Sequence, residues 1–169
     1  MKFLILSAFL SISSAFSQHD HSGHSKNDAK RVQLSSEIQS EVSGVLLKND
    51  ELFNALLKKD NALVENKALE LSELIKKSSS KALTSLKVQA EGLKTIKKNN
   101  SPEKNLEAYD KFLKPLIDIV KQYDVGPKFN VYYCPMVKKS WIQSIDTNKE
   151  VKNVFAMDML ECGTQETKF

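Results

Sequence analysis

Residues 101–123 read SPEKNLEAYDKFLKPLIDIVKQY, and this stretch decides how the chain is organised. Ser101 is an N-cap residue. Pro102 suits the first helical position, where its missing N–H has no partner to lose, and Glu103 suits the positive end of the helix dipole. Leu106, Tyr109, Leu113, Leu116, Val120 and Tyr123 then recur in steps of three and four, the seam of a helix packed near-antiparallel to its neighbours. Pro115 interrupts the pattern. It cannot donate to the carbonyl of Lys111, so the sequence predicts a kink or local break there, at a cost of about 3 kcal/mol unless neighbours compensate.

Working upstream, three more amphipathic patterns appear. Leu34, Ile38, Val42, Val45, Leu46, Phe53, Leu56 and Leu57 define a helix over about 35–58, with Asn49 on the same stripe and Ser35 or Ser36 able to cap it. Ala68, Leu71, Leu74 and Ile75 form a second. Leu83, Leu86, Ala90, Leu93 and Ile96 form a third. With connections of a few residues, these predict a mainly α fold, an antiparallel up-down-up-down four-helix bundle over 34–124. A short irregular or extended segment over 125–166, containing both cysteines, would pack on it and complete a single domain over 34–166.

Residues 1–17 place Lys2 before the apolar run Phe3–Leu10 and end in the small residues Ser13, Ser14, Ala15 and Ser17, the pattern of a secretory signal peptide cleaved after Ser17. The apolar run is shorter than the roughly 20 residues that span a bilayer, and no Cys follows it as a lipoprotein anchor would need. The expected product is exported to a bacterial periplasm without stable membrane insertion. Residues 18–33 are polar and hold all three histidines, so they read as a disordered tail. His19, His21 and His24 make a possible secondary metal site.

The 169 residues include only five glycines, which argues against a Gly-rich phosphate loop, and a net charge of +4 spread evenly argues against nucleic-acid binding. No nucleophile–base constellation is visible, so enzyme activity is not expected.

Downstream of the decisive helix, Val125-Gly126-Pro127 breaks the pattern and Phe129–Tyr133 is an extended aromatic run, with short irregular pieces following around Trp141 and Phe155; a pair of short strands or extended pieces is expected here. Sulfur then concentrates. Cys134, Met136, Met157, Met159 and Cys162 include every cysteine of the chain and every methionine but Met1, while the helices use Leu, Ile and Val. Two readings stand side by side. The cysteines of an exported protein can form a disulfide, worth about 3 kcal/mol for a loop of this length in the chain-entropy model. Alternatively, two thiolates with thioether support form a soft ligand set that selects Cu(I) over zinc, calcium or magnesium. Tyr133, Trp141 and Phe155 would then wall the ion from water.

The pattern Val131-Tyr132-Tyr133-Cys134-Pro135-Met136, then Trp141-Ile142-Gln143, then Asn153 through Gly163, resembles the DUF3347 family of secreted bacterial modules. Cys134, Met136, Trp141, Asn153, Phe155, Met159, Cys162 and Gly163 match its motif. Val154 and Ala156 depart from it in the turn before Met159, and Met157 is an extra. The resemblance, covering about 34–165, implies a part in copper or heavy-metal homeostasis, with Cys134, Met136, Met159 and Cys162 as candidate ligands. It also implies a periplasmic efflux adaptor or metal transporter as partner. Two function classes follow: a Cu(I)-binding or other soft-metal-binding protein, and a disulfide-stapled interaction module of the envelope that binds no metal.

Overall fold

The computed structural model describes residues 31–167; the stretches read above as a signal peptide and as a histidine-bearing tail fall largely outside them, His19, His21 and His24 included. Over the described residues the fold is mainly helical, with four α-helices and a small three-stranded sheet. Helix α1 is Ser36–Leu57, α2 Asn61–Lys77, α3 Thr84–Leu93 and α4 Pro102–Gln122. All four stripes predicted from spacing supply the core, with Val45, Leu46, Phe53, Ala68, Leu71, Leu86, Leu93, Tyr109 and Leu116 fully or almost fully buried. Leu74 is an exception at 37% exposed.

The connections explain why the helices end where they do. Ser35 occupies the N-cap of α1, yet its side chain accepts no capping bond; neither serine caps in the way the sequence suggested. At the other end Lys59 takes a left-handed conformation (φ 57°), and the N–H groups of Lys59 and Asp60 donate to the carbonyls of Leu56 and Ala55. This satisfies two terminal carbonyls and reverses the chain. Asp60 then caps α2 at once, its Oδ1 accepting from Leu63 N at 3.0 Å. A short 3₁₀ turn, Lys81–Leu83, leads into α3. Asn105 of α4 pins the next connection by bonding both the N–H and the carbonyl of Lys97, at 3.1 and 3.0 Å.

In α4, Ser101 Oγ accepts from Lys104 N at 3.3 Å, as predicted. Pro115 does not split the helix, which continues unbroken from Pro102 to Gln122. Lys111 is exposed and Pro115 half-exposed, so the carbonyl deprived of its donor lies on the wet side, where water can bond it.

The region after α4 holds the expected pair of short strands and, beyond them, a third of two residues. Strand β1 is Phe129–Cys134, β2 Lys139–Ser144 and β3 Thr164–Gln165, in the order β2-β1-β3 with both pairings antiparallel. The extended run over 129–133 is therefore β1. The segment around Trp141, read as irregular, is β2. Trp141, Ile142, Gln143 and Ser144 are buried in succession, so no polar–apolar alternation marks this strand. The sheet packs against α1 and α4. Lys139 Nζ pairs with Asp110 Oδ2 of α4 at 2.7 Å, and Thr147 Oγ1 reaches the Asp50 carboxylate of α1 at 2.8 Å. Val32 bridges Tyr123 in parallel, tying the first described residues to the end of α4.

Asp50 deserves a stability test because it is buried. Loss of hydration pushes its carboxyl above the ordinary aspartate value, more than the Thr147 hydroxyl and the nearby Lys128 charge pull it down. The folded protein thus binds a proton at pH values where the unfolded chain has released it. Stability falls as pH rises from the ordinary aspartate range through the folded pKa. Asp50→Asn should remove this part of the pH dependence, read as urea midpoints of both proteins between about pH 4 and about pH 8. Parallel profiles would refute the assignment.

Candidate functional site

The sulfur-bearing residues belong to two loops that the sheet draws together. β1 ends at Cys134, and Pro135-Met136-Val137-Lys138 turns the chain into β2, with Cys134 opposite Lys139. Lys138 supplies the left-handed turn position at φ 53°. On the other side of β1, Tyr133 pairs with Thr164, which brings Cys162 alongside the end of the strand. Cys134 and Cys162 are joined as a disulfide with Cα atoms 5.6 Å apart. Of the two readings left open by the sequence, bonded cysteines are the form seen here, and neither sulfur is then a thiolate.

The two ends of this cystine differ in exposure. Cys134 is fully buried, whereas Cys162 is half-buried at the rim of the core. The thioether-bearing residues lie further out: Met136 is 69% exposed, Met159 is 42% exposed and Met157 is intermediate. None of the three fills the core, so the usual packing role of methionine does not explain their clustering.

Asn153 organises the loop that carries Met157, Met159 and Cys162. Its side chain is buried and bonds in both directions, Nδ2 donating to the Cys162 carbonyl at 2.8 Å and Oδ1 accepting from Phe155 N at 2.9 Å. Its own N–H reaches the Leu160 carbonyl at 2.6 Å. Turns from Met159 N to Ala156 O and from Cys162 N to Met159 O complete the loop.

Trp141 forms the floor beside it. The indole is fully buried, stacks on Tyr132 with ring centroids 5.9 Å apart, and donates from Nε1 to Gln143 Oε1 at 3.4 Å. The aromatic partner of Trp141 is thus Tyr132; Tyr133, half-buried, projects to the other face by strand alternation. Gly163 lies directly on the indole: a Cβ there would sit 2.5 Å from Trp141 Cη2. Phe155 stacks on Tyr109 at 6.3 Å, with Lys139 Nζ 5.9 Å from its ring centroid.

Sequence reasoning placed Gln143, Tyr109 and Asn49 in motifs or stripes without reading the polar contacts they make. Gln143 donates from Nε2 to the carbonyls of Asn148 and Glu150 and accepts at Oε1 from Lys152 N, shaping the loop before Asn153. Tyr109 donates its hydroxyl to Asn49 Oδ1 at 3.0 Å; burial, reinforced by the nearby Asp50 charge, pushes that phenol up, so it donates as a neutral group. The position of Asn49 on an apolar stripe was the one available signal. Among the described residues no group of three or more His, Cys, Asp or Glu is placed to hold a metal ion, and no helix is long and apolar enough to cross a membrane.

Compared with family models, curated proteins and solved structures, the chain matches none of them.

Proposed function

We propose that this is an exported protein of the DUF3347 type that binds Cu(I), or another soft ion, in its dithiol form and exchanges it with a periplasmic efflux adaptor or metal transporter. Its helices would form an antiparallel four-helix bundle serving as scaffold. The observation that carries the proposal is the convergence of Cys134 and Cys162 at the end of β1, with Met136 and Met159 exposed on the two adjoining loops. Reduction of the disulfide would free two sulfurs on backbones 5.6 Å apart, with thioethers nearby, a donor set suited to a soft monovalent ion. Trp141 and Phe155 would limit access of water.

The test is competitive titration of Cu(I) against a chelator, with thiols counted by mass. The reduced protein should take up Cu(I), and Cys134→Ser or Cys162→Ser should abolish uptake. Met136→Leu should weaken it without unfolding the protein. Absence of competitive uptake after full reduction would remove the metal reading. The disulfide itself favours a second reading, a stapled interaction module of the envelope, in which the bond contributes about 3 kcal/mol and no metal is bound.

A further inference from the structure

The segment carrying Cys162 is held in place on both sides of that residue by bonds that do not involve sulfur. Before it, Asn153 bonds the Leu160 carbonyl through its N–H and the Cys162 carbonyl through Nδ2. After it, β3 pairs with β1, Glu166 N donates to the Val131 carbonyl at 2.8 Å, and the buried Thr167 accepts from Val131 N at 2.9 Å. Gln165 Nε2 reaches Asn130 Oδ1 at 2.8 Å, and Glu166 pairs with Lys121 of α4 at 2.9 Å. Cys134, for its part, is fixed by a six-residue strand paired along its whole length. A bond whose two ends are held independently can open without releasing either end.

The cystine is also asymmetric, with one sulfur's residue fully enclosed by the core and the other's half-buried at its rim. Thiol–disulfide exchange requires access to the sulfur attacked. We infer that Cys134–Cys162 is an exchangeable bond, opened by an external thiol at Cys162 while the fold stays closed around the freed pair. The thiolate of a small thiol or of a reductant protein attacks Cys162 Sγ, forming a mixed disulfide as the Cys134–Cys162 bond breaks. Cys134 leaves as a thiolate and takes up a proton, replacing the one the attacking thiol released. A second thiol attacks the external sulfur of the mixed disulfide. The reductant departs as its own disulfide, oxidised by two electrons, and Cys134 and Cys162 remain as a dithiol. As regulation of the soft-metal site this rests on the function proposed above; the exchange itself needs no metal.

The experiment starts from the purified protein with its disulfide intact. Cysteamine is added, the reaction is quenched with an alkylating agent at early times, and peptides are mapped by mass. The mixed disulfide should lie on Cys162 with the alkyl group on Cys134, in at least about tenfold excess over the reverse. After complete reduction, Trp141 fluorescence and amide protection at Glu166 should match the oxidised protein. A mixed disulfide on Cys134, an even distribution, or loss of protection over 153–167 on reduction would overturn the inference. No reaction except under denaturing conditions would do so too. If exchange proceeds as described and the dithiol form takes up no Cu(I), the metal reading fails and the exchange stands.

Discussion

Trp141→Ala should lower the unfolding free energy by about 3–5 kcal/mol, a large share of the stability of a domain this size. The indole is fully buried, and its removal deletes the Tyr132 stack, leaves Gln143 with one donor fewer and opens a cavity beneath Gly163. The site can collapse only partly, because β2 is fixed by its pairing with β1 and the loop above is fixed by Asn153. Equilibrium urea unfolding gives the value, with an unchanged m confirming that the native state keeps its extent. Gly163→Ala tests the same contact from the other side. A methyl group 2.5 Å from Trp141 Cη2 cannot be accommodated unless the ring or β3 shifts, at a cost of about 1–3 kcal/mol. Phenylalanine lacks the outer ring atoms involved. Trp141→Phe should therefore remove much of the penalty of Gly163→Ala, and a double-mutant cycle in which the two costs simply add would show that the clash is not what the glycine avoids.

The helices were legible because a single period governs them. One face of each meets the core and the other meets water, so Leu, Ile and Val at steps of three and four mark the buried side directly. At Pro115 the sequence left a bend and a split open, and the helix continues through it, with Lys111 exposed and Pro115 half-exposed. The strand around Trp141 was illegible because both of its faces are covered, which erases alternation. Clustering of the five sulfur-bearing residues was plain in the sequence. Which cysteine would be fully enclosed and which only half-buried depends on the pairing of β3 with β1, and a strand of two residues leaves no recognisable pattern. The residues that hold the site together, Asn153, Gln143 and Thr167, are polar and scattered. Their importance comes from burial and from backbone partners distant in sequence, neither of which composition or spacing displays.

Asn153→Leu should destabilise the protein by about 2–4 kcal/mol, comparable to loss of the disulfide, because it deprives the Cys162 carbonyl and the Phe155 N–H of their partners at once. The more informative result lies in combining the two changes. At about 1 kcal/mol for each hydrogen bond, the polar contacts on the 153–167 segment together are at least as large as the roughly 3 kcal/mol expected of the cross-link. Either system alone should then keep the loop on Trp141. In oxidised protein, Asn153→Leu should leave amide protection over 160–166 largely intact, because the sulfur bond still holds the loop. In reduced wild type, Asn153 and β3 should do the same. Reduced Asn153→Leu has neither restraint at Cys162, and protection there should collapse by far more than the two separate losses predict. Additive losses would mean that the disulfide and Asn153 restrain different motions, and the loop would then have no second restraint to keep Cys134 and Cys162 together once their bond opens.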